Sequence, residues 1–112
     1  MCTISQLDEI SQLMVKAYRS VYGSDIITIY LYGSYARGDY DSESDIDLAA
    51  IVKGDRLSLQ NKLKKMWDIS ADVGLENDII ISPTVIPYDE FEKYKTVLPY
   101  YRNIEKEGRK IG

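Results

Sequence analysis

Two short apolar runs set the frame for this chain. Residues 26–32, IITIYLY, are β-branched and aromatic and too short for a helix of ordinary length, so they read as a buried strand. Residues 46–52, IDLAAIV, read as a second strand. The segment between them, GSYARGDYDSESD, is polar and contains two glycines. Neither run approaches the roughly 20 apolar residues a membrane-crossing helix needs.

The flanking sequence supplies helices. Ile4, Leu7, Ile10, Leu13, Met14, Ala17 and Val21 recur at steps of three and four, which predicts a helix over 4–22 with Thr3 or Ser5 as N-cap and Gly23 as stop. Leu59, Leu63, Met66 and Trp67 predict a second helix over 56–70. NDIIIS, residues 77–82, reads as a third strand halted by Pro83, because proline cannot donate to a ladder. Asp89 and Glu92 have capping-box spacing. Pro99 opens a last helix that ends at Gly108. The expected fold is α/β (α+β), a small mixed sheet covered by helices, in a single domain over residues 1–112.

Composition narrows the chemistry. The chain has no histidine, which excludes His-based triads and His-containing zinc sites. Its single cysteine, Cys2, allows no internal disulfide and points to a reducing compartment. A formal charge of -4 argues against gripping nucleic acid through its phosphates. The N-terminal MCTISQLDEISQ has no basic stretch followed by a greasy core, so a cytoplasmic protein without membrane attachment is expected. Carboxylates, hydroxyls, Lys or Arg, backbone amides or an oxygen-liganded metal remain.

The polar segment places such groups deliberately. Gly33-Ser34 follows the first strand, and Asp45 and Asp47 open the second. Side chains two apart on a strand share a face, so Asp45 and Asp47 project together while Ile46 and Leu48 point into the core. Paired carboxylates repel unless a cation lies between them, and hard oxygen ligands suit Mg²⁺. Gly33 allows close backbone approach to a phosphate, and Ser34 adds a hydroxyl donor. A third carboxylate would complete a two-metal site. Asp78, at the start of the third strand, is the best candidate, ahead of Asp72 and Glu76. Its other reading is a turn or cap residue.

With these residues in place, GSYARGDYDSESDIDLA resembles the signature of the polymerase-β-like nucleotidyltransferases. More narrowly, the chain is similar to the minimal nucleotidyltransferases (MNT) that serve as antitoxins beside HEPN ribonuclease toxins. The ending YYRNIEKEGRKIG shares in that resemblance. It implies the nucleotidyltransferase fold and transfer of AMP from Mg-ATP, with two Mg²⁺ ions, to an acceptor hydroxyl. Carried across, Gly33 and Ser34 would hold the β/γ-phosphates, and Asp45 and Asp47 would ligate the metals. Asp78 would help bind the second metal and take the acceptor's proton. Arg37 would meet a phosphate oxygen or remain a solvated loop arginine. The implied acceptor is a tyrosine of the HEPN toxin partner, because 112 residues are expected to leave no room for an acceptor domain.

Two rival readings stay open. One is transfer to a small acceptor such as an aminoglycoside, with a homodimer supplying the second wall. The other is a non-catalytic antitoxin that caps the toxin in a hetero-oligomer. Among the ten tyrosines, Tyr30 and Tyr32 are expected in the sheet and Tyr100 and Tyr101 in packing, while Tyr35 and Tyr40 flank the polar loop within reach of an adenine ring. Met14, Met66 and Trp67 are core by spacing, and Lys62, Lys64 and Lys65 form a wet helix face.

Overall fold

The computed structural model describes residues 3–112; Cys2 lies outside the described residues. Helix α1 (Ile4–Tyr22) starts at Thr3, whose hydroxyl accepts from the Gln6 amide (3.1 Å) while the Gln6 side chain accepts from the Thr3 amide (3.0 Å), a complete capping box. Its buried face runs through Leu7, Ile10, Met14 and Ala17, then takes Tyr18 and Tyr22 where Leu13 was expected. The tyrosines can go inside because their hydroxyls are satisfied: Tyr18 donates to the Thr84 carbonyl and Tyr22 to that of Leu59, each at 2.8 Å. Burial pushes both phenols up, Tyr22 to about 12. Ile4 and Leu13 are left exposed.

After a short 3₁₀ turn, β1 (Ile26–Tyr32) runs antiparallel to β2 (Ile46–Val52), and β2 runs parallel to β3 (Ile81–Pro87). A two-residue β4 (Arg109–Lys110), which the sequence pattern did not announce, closes the order β3-β2-β1-β4. Parallel neighbours need a crossover, and α3 (Arg56–Asn77) provides it. Asp55 caps it by accepting from the Ser58 amide at 3.0 Å. The helix extends seven residues past the expected end at 70. Its inner stripe of Leu59, Leu63 and Met66 continues as Ser70 and Gly74, so the apolar signal fades although the helix does not. Gly74 is small because the Ile79 carbonyl presses on it. Trp67 stands one position off this stripe and is 54% exposed rather than core.

The third strand therefore begins at Ile81 rather than at 77, and it runs through Pro83. The ladder explains why. The Ile46 amide donates to the Ile80 carbonyl, so even-numbered residues of β3 bond to β2 and the nitrogens of 81, 83, 85 and 87 face outward. On this edge strand Pro83 and Pro87 forfeit no ladder bond. Helix α4 (Tyr88–Tyr94) has Pro87 at its N-cap with no side-chain cap, so the Asp89–Glu92 capping box does not form; both residues lie inside the helix. Helix α5 (Pro99–Glu107) carries Pro99 in its first turn and stops at Gly108, as expected.

The sheet has two packed faces. Ile29, Leu31, Ile46, Leu48, Ala50, Val52, Ile81 and Val85 meet α1 and α3 in one core, which also buries Tyr35. Tyr30, Ala49, Ile51 and Ile86 meet Phe91 of α4 and Tyr101 and Ile104 of α5 in the other. Among the described residues no helix is long and apolar enough to cross a membrane.

Candidate active site

On the second face the apolar rows end one step short of the sheet's edge. The last row across the sheet is Tyr32, Asp47 and Ser82: Tyr32 pairs with Asp47 on β1 and β2, and Asp47 pairs with Ser82 on β3. Paired residues share a face, so all three side chains stand together there. Asp47 is half-buried, as is Asp45 just before the strand, while Ile46 and Leu48 are wholly buried on the opposite side. The alternation expected of DIDL is thus realised.

Gly33 closes in on this row. Its backbone sits at φ 75°, ψ -156°, a conformation that side chains other than glycine's rarely permit. A Cβ at this position would also collide with the Asp47 carboxylate. Ser34 then begins a single helical turn, α2 (Ser34–Arg37), which ends at Gly38 in the left-handed region, φ 89°. The loop that follows ties itself together: the Glu43 amide donates to Asp41 Oδ1 and the Asp41 amide donates to Ser44 Oγ, both at 2.9 Å. This Asx-type knot fixes the chain's entry into Asp45. The D-S-E-S run announces it in sequence, though Asp41 and Ser44 were not among the expected site residues.

The electrostatics suit a bound cation. Burial, and then the neighbouring Asp45 carboxylate, push the Asp47 carboxyl above its ordinary range, and Arg37 opposes them. Among the described residues no Lys or Arg lies within ion-pairing distance of Asp45 or Asp47; Arg37 instead pairs with Asp39 (3.2 Å) and Glu107 (3.5 Å). Two adjoining carboxylates short of positive charge are a donor set suited to one hard divalent ion, with phosphate or water oxygens completing its shell.

Asp78 does not join them. It caps α3 in the left-handed conformation, φ 53°, with its amide donating to the Gly74 carbonyl, three residues before β3 starts. Its backbone takes the cap position, because α3 continues to Asn77. Among the described residues no three acidic or thiol side chains are grouped to hold a metal. Asp78 and Asp45 do line a common cleft of about 730 Å³ with Tyr35, Trp67, Leu75 and Ser82.

Two other expectations change. Tyr35 is 2% exposed and stacks on Tyr40 (ring centroids 4.4 Å apart, 12° between planes), so it is committed to the α1/α3 core rather than offered to an adenine. Tyr32, expected as a sheet residue, also borders the site; its hydroxyl shares a 3.0 Å hydrogen bond with that of Tyr100, and burial raises its pKa.

This fold and this site define a nucleotidyltransferase. The model of the family "Polymerase beta, Nucleotidyltransferase" matches residues 15–98, and the chain belongs to that family. Within it, the chain is 34% identical over 96 residues to "Putative protein adenylyltransferase MJ0141" of Methanocaldococcus jannaschii, covering 80% of this chain and 95% of the relative. A second protein of the same archaeon, MJ0604, described in the same words, is 35% identical over 95 residues, covering 85% and 87%. The fold also matches a chain from a crystal structure of a toxin–antitoxin with AMP-PNP, with TM-score 0.59, 19% identity, and 91% of this chain and 72% of that one covered. It likewise matches a chain from a complex of tri-AMPylated Shewanella oneidensis HEPN toxin with its MNT antitoxin, with TM-score 0.53, 16% identity, and coverages of 97% and 72%.

Proposed function

We propose that this chain transfers AMP from Mg-ATP to a tyrosine hydroxyl of a HEPN ribonuclease toxin and so acts as its antitoxin. The observation that carries the reading is the approach of Gly33, with Ser34 next in the chain, to the Asp47 carboxylate at the uncovered end of the sheet, where Asp45 acts on the same carboxylate. Protein adenylyltransferase relatives and the toxin–antitoxin complexes among the fold's neighbours support the acceptor class.

Asp45 and Asp47 would hold Mg²⁺, which when bound neutralises phosphate charge and steadies the departing pyrophosphate. Gly33 lets the triphosphate approach the backbone, and the Ser34 hydroxyl donates to a phosphate oxygen. Arg37, tethered to Asp39 and Glu107, contributes positive field to the row. The acceptor oxygen attacks the α-phosphorus in line, forming the P–O bond to the tyrosine as the bond to pyrophosphate breaks and the phenolic proton passes to solvent. Asp78 receives no metal in this reading.

Co-expression with a HEPN protein encoded by the adjacent gene, followed by mass spectrometry of that protein, tests the proposal. The expected result is a toxin carrying AMP on tyrosine and silenced as a ribonuclease. Both effects are expected to vanish when Asp45→Asn is combined with Asp47→Asn, with transfer falling at least about a thousandfold. A toxin silenced without modification would replace transfer by capping.

A further inference from the structure

The row Tyr32–Asp47–Ser82 says something about how many ions this site holds. The adjoining strand offers a place for a third carboxylate to serve the same cluster as Asp47, at the register position beside it and on the same face. That position belongs to Ser82, whose side chain is half-buried there. Among the described residues no acidic side chain completes a group of three there, and Asp78 lies at the end of α3, three residues before β3. Resting on the adenylyl-transfer reading above, we infer that Ser82 makes this a one-ion site, which holds a single divalent cation with the nucleotide and has no protein ligand for a second.

Charge balance points the same way. Asp45 and Asp47 together carry two negative charges, which one divalent ion cancels. A second ion would have only the phosphates and a neutral hydroxyl to bind, and hard divalent cations are held in proportion to the charge and number of their oxygen ligands. The positive charge a second ion would bring is supplied in part by Arg37, which ends α2 and whose field reaches Asp47. Tyr32 also faces the row, and its hydroxyl shares a hydrogen bond with that of Tyr100. The site is thereby tuned to an ion that arrives with its nucleotide.

Counting Mn²⁺ ions tests this without reference to transfer. Titration by electron paramagnetic resonance or calorimetry, on the full chain with saturating non-hydrolysable ATP analogue, is expected to show one tight ion per chain. Ser82→Asp installs the missing carboxylate and is expected to add a second ion, or to tighten its binding at least about tenfold. Ser82→Ala, which removes only a hydroxyl, is expected to leave the count at one and serves as the control for folding. Two tight ions on the unmodified chain would overturn the inference, as would a folded Ser82→Asp variant that still binds one. Absence of any ion or nucleotide would instead overturn the transfer reading on which it rests.

Discussion

The two faces of β2 were built from one heptapeptide, IDLAAIV, yet they have different tasks. Ile46, Leu48, Ala50 and Val52 form an unbroken apolar file against α1 and α3. On the other side Ala49 and Ile51 are covered by α4 and α5, while Asp47 is left at the uncovered end with Tyr32 and Ser82. One face is optimised for packing throughout; the other gives up packing at a single row and gains a charged, half-buried group. The lesson is that the site is held by the closed face, since the position of Asp47 is set by two neighbours, Ile46 and Leu48, locked in a dry core.

The comparison can be broken most forcefully from the closed side. Leu48→Ala opens a cavity beneath the carboxylates and is expected to cost about 2–5 kcal/mol, read from urea unfolding. An effect below about 1 kcal/mol would mean that the closed face is not what holds the row. Gly33→Ala is next. A backbone near φ 75° and the collision with Asp47 together are expected to cost about 1–3 kcal/mol and to abolish tight Mn²⁺ binding, even in protein that still shows the unmodified circular dichroism.

The smallest effect has the opposite sign. Because the folded-state pKa of Asp47 is raised, its ionisation works against the fold as pH climbs from the ordinary carboxylate value of about 4 through the raised one. Asp47→Asn is therefore expected to lift the melting temperature of metal-free protein at neutral pH by roughly 2–6 °C. The gain should shrink below about pH 4, where both forms are neutral. A drop in melting temperature at neutral pH would show that the open row stabilises the fold as the closed one does.

Much of this was legible in the sequence because the relevant signals are local. Strand alternation alone put Asp45 and Asp47 on one side and Ile46 and Leu48 on the other, and Gly33 was marked by its place after a strand. What escaped were features decided by tertiary neighbours. The end of α3 was hidden because Ser70 and Gly74 pack where Leu or Met would have signalled a helix. That error of seven residues moved Asp78 from a strand to a cap, and with it the expected third carboxylate. The role of Ser82 could not be seen until β3 was in register with β2, and Tyr18 and Tyr22 entered the core only because distant carbonyls accept their hydroxyls.

The two prolines of β3 have a consequence of another kind. Of the four outward-facing nitrogens on that edge, those of Pro83 and Pro87 carry no hydrogen, so an incoming extended chain finds half the usual docking points. The sheet is thereby guarded against growing into fibrils through its β3 margin, and stock solutions of Pro83→Val or Pro87→Val protein should cloud sooner than the parent on standing.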